Sequence, residues 1–418
     1  MSYVFRRLSR KLFKFRLVFL SMKFQKKVLS NGLTVLFEKR DVDVTTVMLG
    51  VRYGSGYDSV EEKGMAHFIE HLCFKGTEKR SVREIASEVE KIGGDLNAFT
   101  HEEVTAYHVK LPSKHLGIAM DVIFDIFFNP VFPEEEVERE AGVICEEIKM
   151  YRDNPRMHVM EKIKENLYEE PFGIFAAGKQ EIVRGMTRER LKGKHREVYV
   201  SCNSILCVVG NNDFDEIISL AEKLTVVRGD CDVLKVPKIV LRNIKDDENR
   251  AGLEQANVAL GFHFPKASEK SHYAAEIFSA ILGQGMSSKL FSEVREKRGL
   301  VYGVKSDLDI GKHYGYMIIW AGTDSSKVEK VKKICLKEFL KMKDISQKEL
   351  DEAKIQVVGN RKVESEGSSE TAVGLIMEEI SGNVEDYYDY EAKIGAVSLD
   401  EIRELAGKTE FASFSLGP

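Results

Sequence analysis

Apolar residues recur every second position in some stretches of the chain and every third or fourth in others, and the change of period lays out its elements. Val28 and Leu29 run into Asn31-Gly32, a pair that accepts the positive φ of a tight turn, and Leu33 to Phe37 returns, so a hairpin opens the fold. Val44 to Tyr53, rich in Val, Thr and Tyr, reads as a strand. The period then lengthens, giving a helix from Met65 to a cap at Gly76. Ser81-Val82-Arg83-Glu84 has capping-box form and starts a second helix that stops at Gly93-Gly94. Strands at Leu96 to Thr100 and Thr105 to Leu111 precede helices over His115 to Phe128 and Pro133 to about Tyr151. Ile205 to Val209 is a closing strand and Phe214 to Leu224 a closing helix.

The same order then recurs. Val258 to Phe262 is a strand, Ala274 to Leu282 and Ser288 to Lys297 are helices, and strands follow over Tyr302 to Ile310 and Tyr314 to Trp320. Glu88-Val89 and Glu293-Val294 occupy matching points 205 residues apart, and Gly50 and Gly261 stand 211 apart. The expected class is α+β: two homologous domains, each a mainly antiparallel sheet covered by helices. The boundaries expected are a basic extension over 1–21, a first domain over 22–227, a linker over 228–238 and a second domain over 239–418.

Composition narrows the function classes. With 43% hydrophobic and 31% charged residues the chain has the make-up of a soluble globular protein, and no apolar run is long enough for a stable membrane span. The first 21 residues carry Arg6, Arg7, Arg10, Lys11, Lys14 and Arg16 and no acid. They read as an upstream extension, an organelle presequence or a membrane-surface helix, the first being preferred. Setting those six charges aside takes the formal net charge from -5 to -11, which argues against nucleic-acid binding and suits basic peptides. The six cysteines form no C-x-x-C pair and read as reduced, mostly buried thiols, for which the cytoplasm is the simplest compartment, or an organelle matrix if the extension is a presequence.

The candidate chemistry lies in His67-Phe68-Ile69-Glu70-His71. Two histidines four apart on a helix share a face, so both imidazoles reach one metal ion, and Glu70 is placed to act as a base on a water held there. The plain alternative is a surface helix with two solvated histidines. Cys73 falls away from the histidine stripe and reads as a core residue.

The stretch Gly54 to Thr77, with H-F-I-E-H-L-C-F-K-G-T at its centre, resembles the pitrilysin/insulinase family of zinc peptidases, the inverzincins. More narrowly it resembles the short-chain branch that includes mitochondrial processing peptidases and their prokaryotic relatives, and the likeness runs from about Met22 to the C-terminus. The resemblance implies the duplicated fold, one zinc ion per chain and a third ligand, a glutamate on a separate helix. Glu146 and Glu147 compete for that place. Glu147 adjoins the apolar stripe Val137, Ile144 and Ile148, and the family spacing falls on it, 76 residues after His71. Glu140, one heptad earlier, matches a glutamate that supports the site from behind. Arg298 and Tyr302 match an Arg/Tyr element that grips substrate and steadies the oxyanion, and Asn97, Ala98 and Phe99 match an exposed edge strand on which a peptide docks. The function implied is a zinc-dependent endopeptidase acting on extended peptides, self-sufficient as a homodimer, with a heteromeric partner chain as the alternative. A dedicated presequence-processing peptidase is the second reading. A non-catalytic partner subunit is the third, although neither Glu70 nor a ligand is missing.

Overall fold

The computed structural model describes residues 24–226 and 234–418, so the basic extension and most of the expected linker lie outside the described residues. The opening hairpin is β1 (Phe24–Val28) and β2 (Thr34–Lys39). Next come β3 (Val44–Val51), α1 (Met65–Cys73) and α2 (Val82–Glu90), whose Ser81/Glu84 capping box is formed in full. The chain continues through β4 (Asp95–Thr100), β5 (Thr105–Pro112), α3 (Leu116–Phe128) and α4 (Glu134–Asp153). Three helices that the sequence pattern leaves unassigned follow: α5 (Pro155–Leu167), α6 (Gln180–Gly185) and α7 (Arg188–Val198). β6 (Ser204–Gly210) and α8 (Phe214–Leu224) close the first half.

The second half holds β7 (Lys245–Asn249), β8 (Ala256–His263), α9 (His272–Gly283), β9 (Val301–Ile310) and β10 (Gly315–Thr323). The helix expected over Ser288 to Lys297 is a π-helical turn at Phe291–Glu296. The tail of the chain is helical, with α10 (Val328–Leu340), α11 (Gln347–Glu364), α12 (Ser368–Ser381), α13 (Asp386–Ala396) and α14 (Leu399–Leu405), and it ends in β11 (Ala412–Gly417).

Two sheets result. The first has the order β1-β2-β6-β3-β5-β4 and the second β7-β11-β8-β10-β9. Each contains one parallel pair, β2 with β6 and β7 with β11, while the remaining pairs are antiparallel. Leaving β1 aside, the two orders superpose strand for strand. The repeat read from the sequence is therefore a repeat of topology, two α+β units with mixed sheets.

Each half does not cover its own sheet completely. One face of the first sheet, through Val35, Phe37, Val47, Leu49, Tyr107 and Val109, packs on helices of its own half. The alternate residues Leu36, Met48, Ala106, Ile205, Cys207 and Val209 point the other way and pack on Ala372, Leu375, Ile376 and Ile380 of α12, from the far end of the chain. The second sheet returns the arrangement: Ala259, Ile318, Trp320, Phe414 and Leu416 pack on Val159, Ile163 and Leu167 of α5. Strands covered on both faces read as continuous apolar runs, and β6, β8 and β10 are buried almost throughout for that reason. At roughly 1.5–3 kcal/mol for each large apolar side chain buried, these two exchanged helices are a major part of what joins the halves.

The reading of six reduced thiols needs correction. Cys73, Cys145, Cys207 and Cys335 are free and buried, but Cys202 is disulfide-bonded. Widely spaced cysteines give no sequence signal for a bridge that only the fold brings together. Among the described residues no helix is long and apolar enough to cross a membrane.

Candidate metal centre

α1 has an apolar face of Met65, Ala66, Phe68, Ile69, Leu72 and Cys73, all buried. That face is held by the core, so His67, Glu70 and His71 emerge together on the opposite side. Asp58, buried in the loop ahead of α1, accepts from the Gly64 N–H at 3.0 Å and from the Tyr53 hydroxyl at 2.6 Å, fixing where the helix begins. Burial pushes Asp58 up to about 7.

α4 packs across this face through Val137, Ile144 and Cys145. It carries Glu147 to 3.7 Å from both His67 Nε2 and His71 Nε2, and the three ligand atoms lie within 4.8 Å of one another. Glu146 points outward and pairs with Lys149 at 2.6 Å, so of the two competing glutamates Glu147 is the one that faces the histidines. Burial, with the neighbouring His71 charge, pushes His67 down to about 3, which leaves its imidazole neutral with a lone pair to donate. Burial raises Glu147 above the ordinary carboxylate range.

Glu140 is buried behind His71, accepting from its Nδ1 at 3.0 Å and from Lys75 Nζ at 2.8 Å. Burial alone would raise Glu140, but the bonds from His71 and Lys75 outweigh it and hold the carboxylate below its usual range. A carboxylate on Nδ1 orients the ring so that Nε2 points to the shared centre. His67 has no such support: its buried Nδ1 has no hydrogen-bond partner. Two imidazole nitrogens and one carboxylate oxygen, with a fourth direction open, are the donor set of a catalytic zinc site. The residues present fit that ion.

Glu70 lies beside this trio, and burial raises its carboxyl. Its Oε2 accepts from the Thr100 hydroxyl at 2.5 Å, leaving Oε1 for other partners. Thr100 ends β4, which lies at the rim of the first sheet and pairs only with β5. Asn97, Ala98 and Phe99 are therefore in an edge strand, with Asn97 opposite His108, Ala98 opposite Tyr107 and Phe99 opposite Ala106. Sequence reading placed Thr100 in the strand but missed its bond to Glu70. It also missed the buried Lys63, Glu102 and Glu103, because charged loop residues follow no period. Cys73 is buried and its thiol is pushed up to about 12, as a core residue's would be.

Arg298 and Tyr302 stand apart from this cluster. Arg298 is turned onto its own half, with Nη1 donating to the Glu293 carboxylate at 2.6 Å. Tyr302, half exposed on the edge strand β9, stands edge-on to Trp320 at 5.9 Å. The Arg156 guanidinium covers the Trp320 ring at 4.5 Å, so the tyrosine connects through two side chains to the start of α5, just beyond the metal helix α4. Among the described residues, neither Arg298 nor Tyr302 has a hydrogen bond, ion pair or ring contact with His67, Glu70, His71 or Glu147.

Comparison with known proteins adds an independent line. A family model for insulinase (peptidase family M16) matches residues 34–175, and one described as the peptidase M16 inactive domain matches residues 185–357. The chain is 35% identical over 338 residues to an uncharacterized zinc protease of Rickettsia felis, covering 79% of this chain and 81% of that one. It is 30% identical over 395 residues to an uncharacterized zinc protease of Bacillus subtilis, covering 90% and 93%. In fold it matches the crystal structure of a protease from Helicobacter pylori at a TM-score of 0.89 and 24% identity, covering 95% and 99% of the two chains. A structure titled as a peptidase M16 inactive domain from Pseudomonas fluorescens matches at 0.86 and 20% identity, covering 95% and 98%.

Proposed function

Because the chain belongs to the insulinase (M16) family of peptidases, we propose that it is a zinc-dependent endopeptidase cutting peptides and unfolded segments held in extended form. One observation carries the reading: two imidazoles and a carboxylate converge beside a half-buried glutamate, at the foot of a strand with an open edge. Zinc held by His67, His71 and Glu147 would supply Lewis acidity and an acidified water.

The remaining work falls to side chains of this chain. Glu70, half-buried and with its carboxyl raised by that burial, takes a proton from the attacking water at Oε1 and delivers it to the leaving amine. Thr100 occupies the other carboxylate oxygen and so fixes which one faces the substrate. Glu140 holds the His71 ring in place. The outer edge of β4 at Asn97, Ala98 and Phe99, where the Asn97 Oδ1 accepts from the Ala98 N–H at 2.8 Å until a peptide replaces it, offers backbone donors and acceptors to an extended peptide, which makes an unfolded substrate a condition of binding. Arg298 and Tyr302 would join the substrate from the second half once a peptide draws the edge strands together. A homodimer is the assembly in which we expect this to operate, and a mass measurement finding only monomer would remove that part of the reading.

The test is incubation of the protein with a mixed peptide library, with and without a chelator, read by mass spectrometry. Cleavage that stops on chelation and returns with zinc is expected. Glu70→Gln should retain zinc while losing about 10²–10⁴-fold in turnover. Equal cleavage by that variant would remove Glu70 from the mechanism.

A further inference from the structure

The turn from β4 to β5 reaches across to the second half. Thr100, whose hydroxyl holds Glu70, is the residue before it. His101 donates its N–H to the Val104 carbonyl at 2.8 Å and accepts from the Ser55 N–H at 2.9 Å, while its Nε2 lies 3.8 Å from Asp309 of the second half. Glu102 is buried, accepts from the Ser55 hydroxyl at 2.7 Å and pairs with Lys164 of α5. Gly54 and Gly56 let the preceding loop lie flat on this turn: a Cβ at Gly54 would come within 2.1 Å of the His101 carbonyl oxygen, and one at Gly56 within 2.7 Å of that of Glu102.

Glu103 reaches the other way. It is 3% exposed, and its two carboxylate oxygens accept the backbone N–H groups of Lys312 at 2.9 Å and His313 at 3.2 Å. Those donors form the turn between β9 and β10. A buried carboxylate on two N–H donors makes charge-assisted bonds, which are about twice as strong as neutral ones. The β4–β5 turn is thus clamped by its own loop on one side and by the second sheet on the other, with the partner of Glu70 immediately upstream.

We propose that Glu103 is a positioning residue: seated on the β9–β10 turn, it fixes the β4–β5 turn so that Thr100 aims Glu70 and the open edge of β4 stays beside the metal helix. The proposal rests on the peptidase reading above. It gives the half without metal ligands a direct part in aligning the chemistry of the other, and displacement of a reacting group by about 1 Å is enough to cost ~10²-fold in rate.

Turnover of a quenched-fluorescent peptide and bound zinc are measured on the full chain for wild type, Glu103→Ala, Thr100→Val and the double variant. Each single variant should lower kcat about tenfold with zinc unchanged, and the double variant about tenfold rather than a hundredfold, since both act through one bond. In the metal-free protein, Glu103→Ala should speed amide exchange across 95–105 and leave the β1–β2 hairpin at its wild-type rate. Glu103→Gln keeps one acceptor oxygen and should fall between; it carries the same comparison if the alanine variant does not fold. Losses that multiply, zinc lost in step with activity, or unchanged exchange in β4 would overturn the proposal. A wild-type protein that cuts no peptide would instead sink the peptidase reading, and the exchange measurement would then decide the role of Glu103 by itself.

Discussion

The two halves share a strand order and the placement of their helices, yet they fill the same place with different chemistry. In the first, α1 and α4 face each other with His67, His71 and Glu147. In the second, the corresponding helices α9 and α11, together with β9 and α13, line an open cavity of about 330 Å³ that includes Glu276, Asn360, Arg361 and Glu364, with Tyr390 donating to Glu276. Among the described residues, no other group of His, Cys, Asp and Glu gathers as the first trio does. The difference teaches that the scaffold and the metal chemistry are separable. A few side chains carry the second, while the backbone frame, its edge strand and its buried helix pair persist without them.

The sharpest way to break this contrast is to exchange the losses. His71→Ala should lose zinc and at least about 10³-fold in cleavage, as expected when a ligand leaves a three-residue site, whereas Glu276→Ala should keep both. Zinc analysis and turnover on the two proteins check it, and loss of zinc from the second would erase the asymmetry. Next in size are the exchanged helices. Ile376→Ala on α12 and Ile163→Ala on α5 should each cost about 2–5 kcal/mol, and each should leave a single unfolding transition in denaturant, because neither sheet is complete alone. Two separated transitions would make the halves independent after all. Smaller is the effect behind His71: Glu140→Ala should weaken zinc about 10–100-fold while the fold stays intact, measured by competition with a chromophoric chelator.

The smallest effect concerns acid. Burial alone would raise Glu102, but Lys164 and Lys63 beside it bring the carboxyl down to about 2. A carboxyl depressed on folding contributes stability that is complete above its unfolded value near 4.5 and is lost as pH falls toward 2. The wild type should therefore lose about 2 kcal/mol between neutral pH and pH 3 that Glu102→Gln does not lose, read from denaturant midpoints.

What was legible in the sequence follows the range over which each signal acts. The His67/His71 pair is a contact within one helical turn, and the pentapeptide states it outright. Glu147 lies a domain's width away in sequence, and its apolar stripe with the family spacing singled it out from Glu146. The duplicated sheet was legible because alternation and order repeat, and the capping box at Ser81 was legible from its own four residues. The helix exchange was not: α12 is amphipathic, but nothing in its period says which sheet it meets. The structure buries β6 and β10 on both faces, and the sequence does not say what covers them. Thr100 and Glu103 escaped because their partners are brought up by the fold from elements distant in sequence, and Lys63 because its partner is a loop carbonyl that follows no period. Lys63 is buried with its ammonium on the Ser55 carbonyl at 2.6 Å, in a loop whose sequence reads as solvated.

The traded helices α5 and α12 have a consequence for how this chain can be divided. A polypeptide severed between its halves would yield two pieces, each missing the lid of its own sheet and displaying the lid of its sibling. Such fragments should be insoluble singly and reconstitute when co-expressed. Two units of one strand order are thereby joined as a lock whose parts are not expected to survive apart.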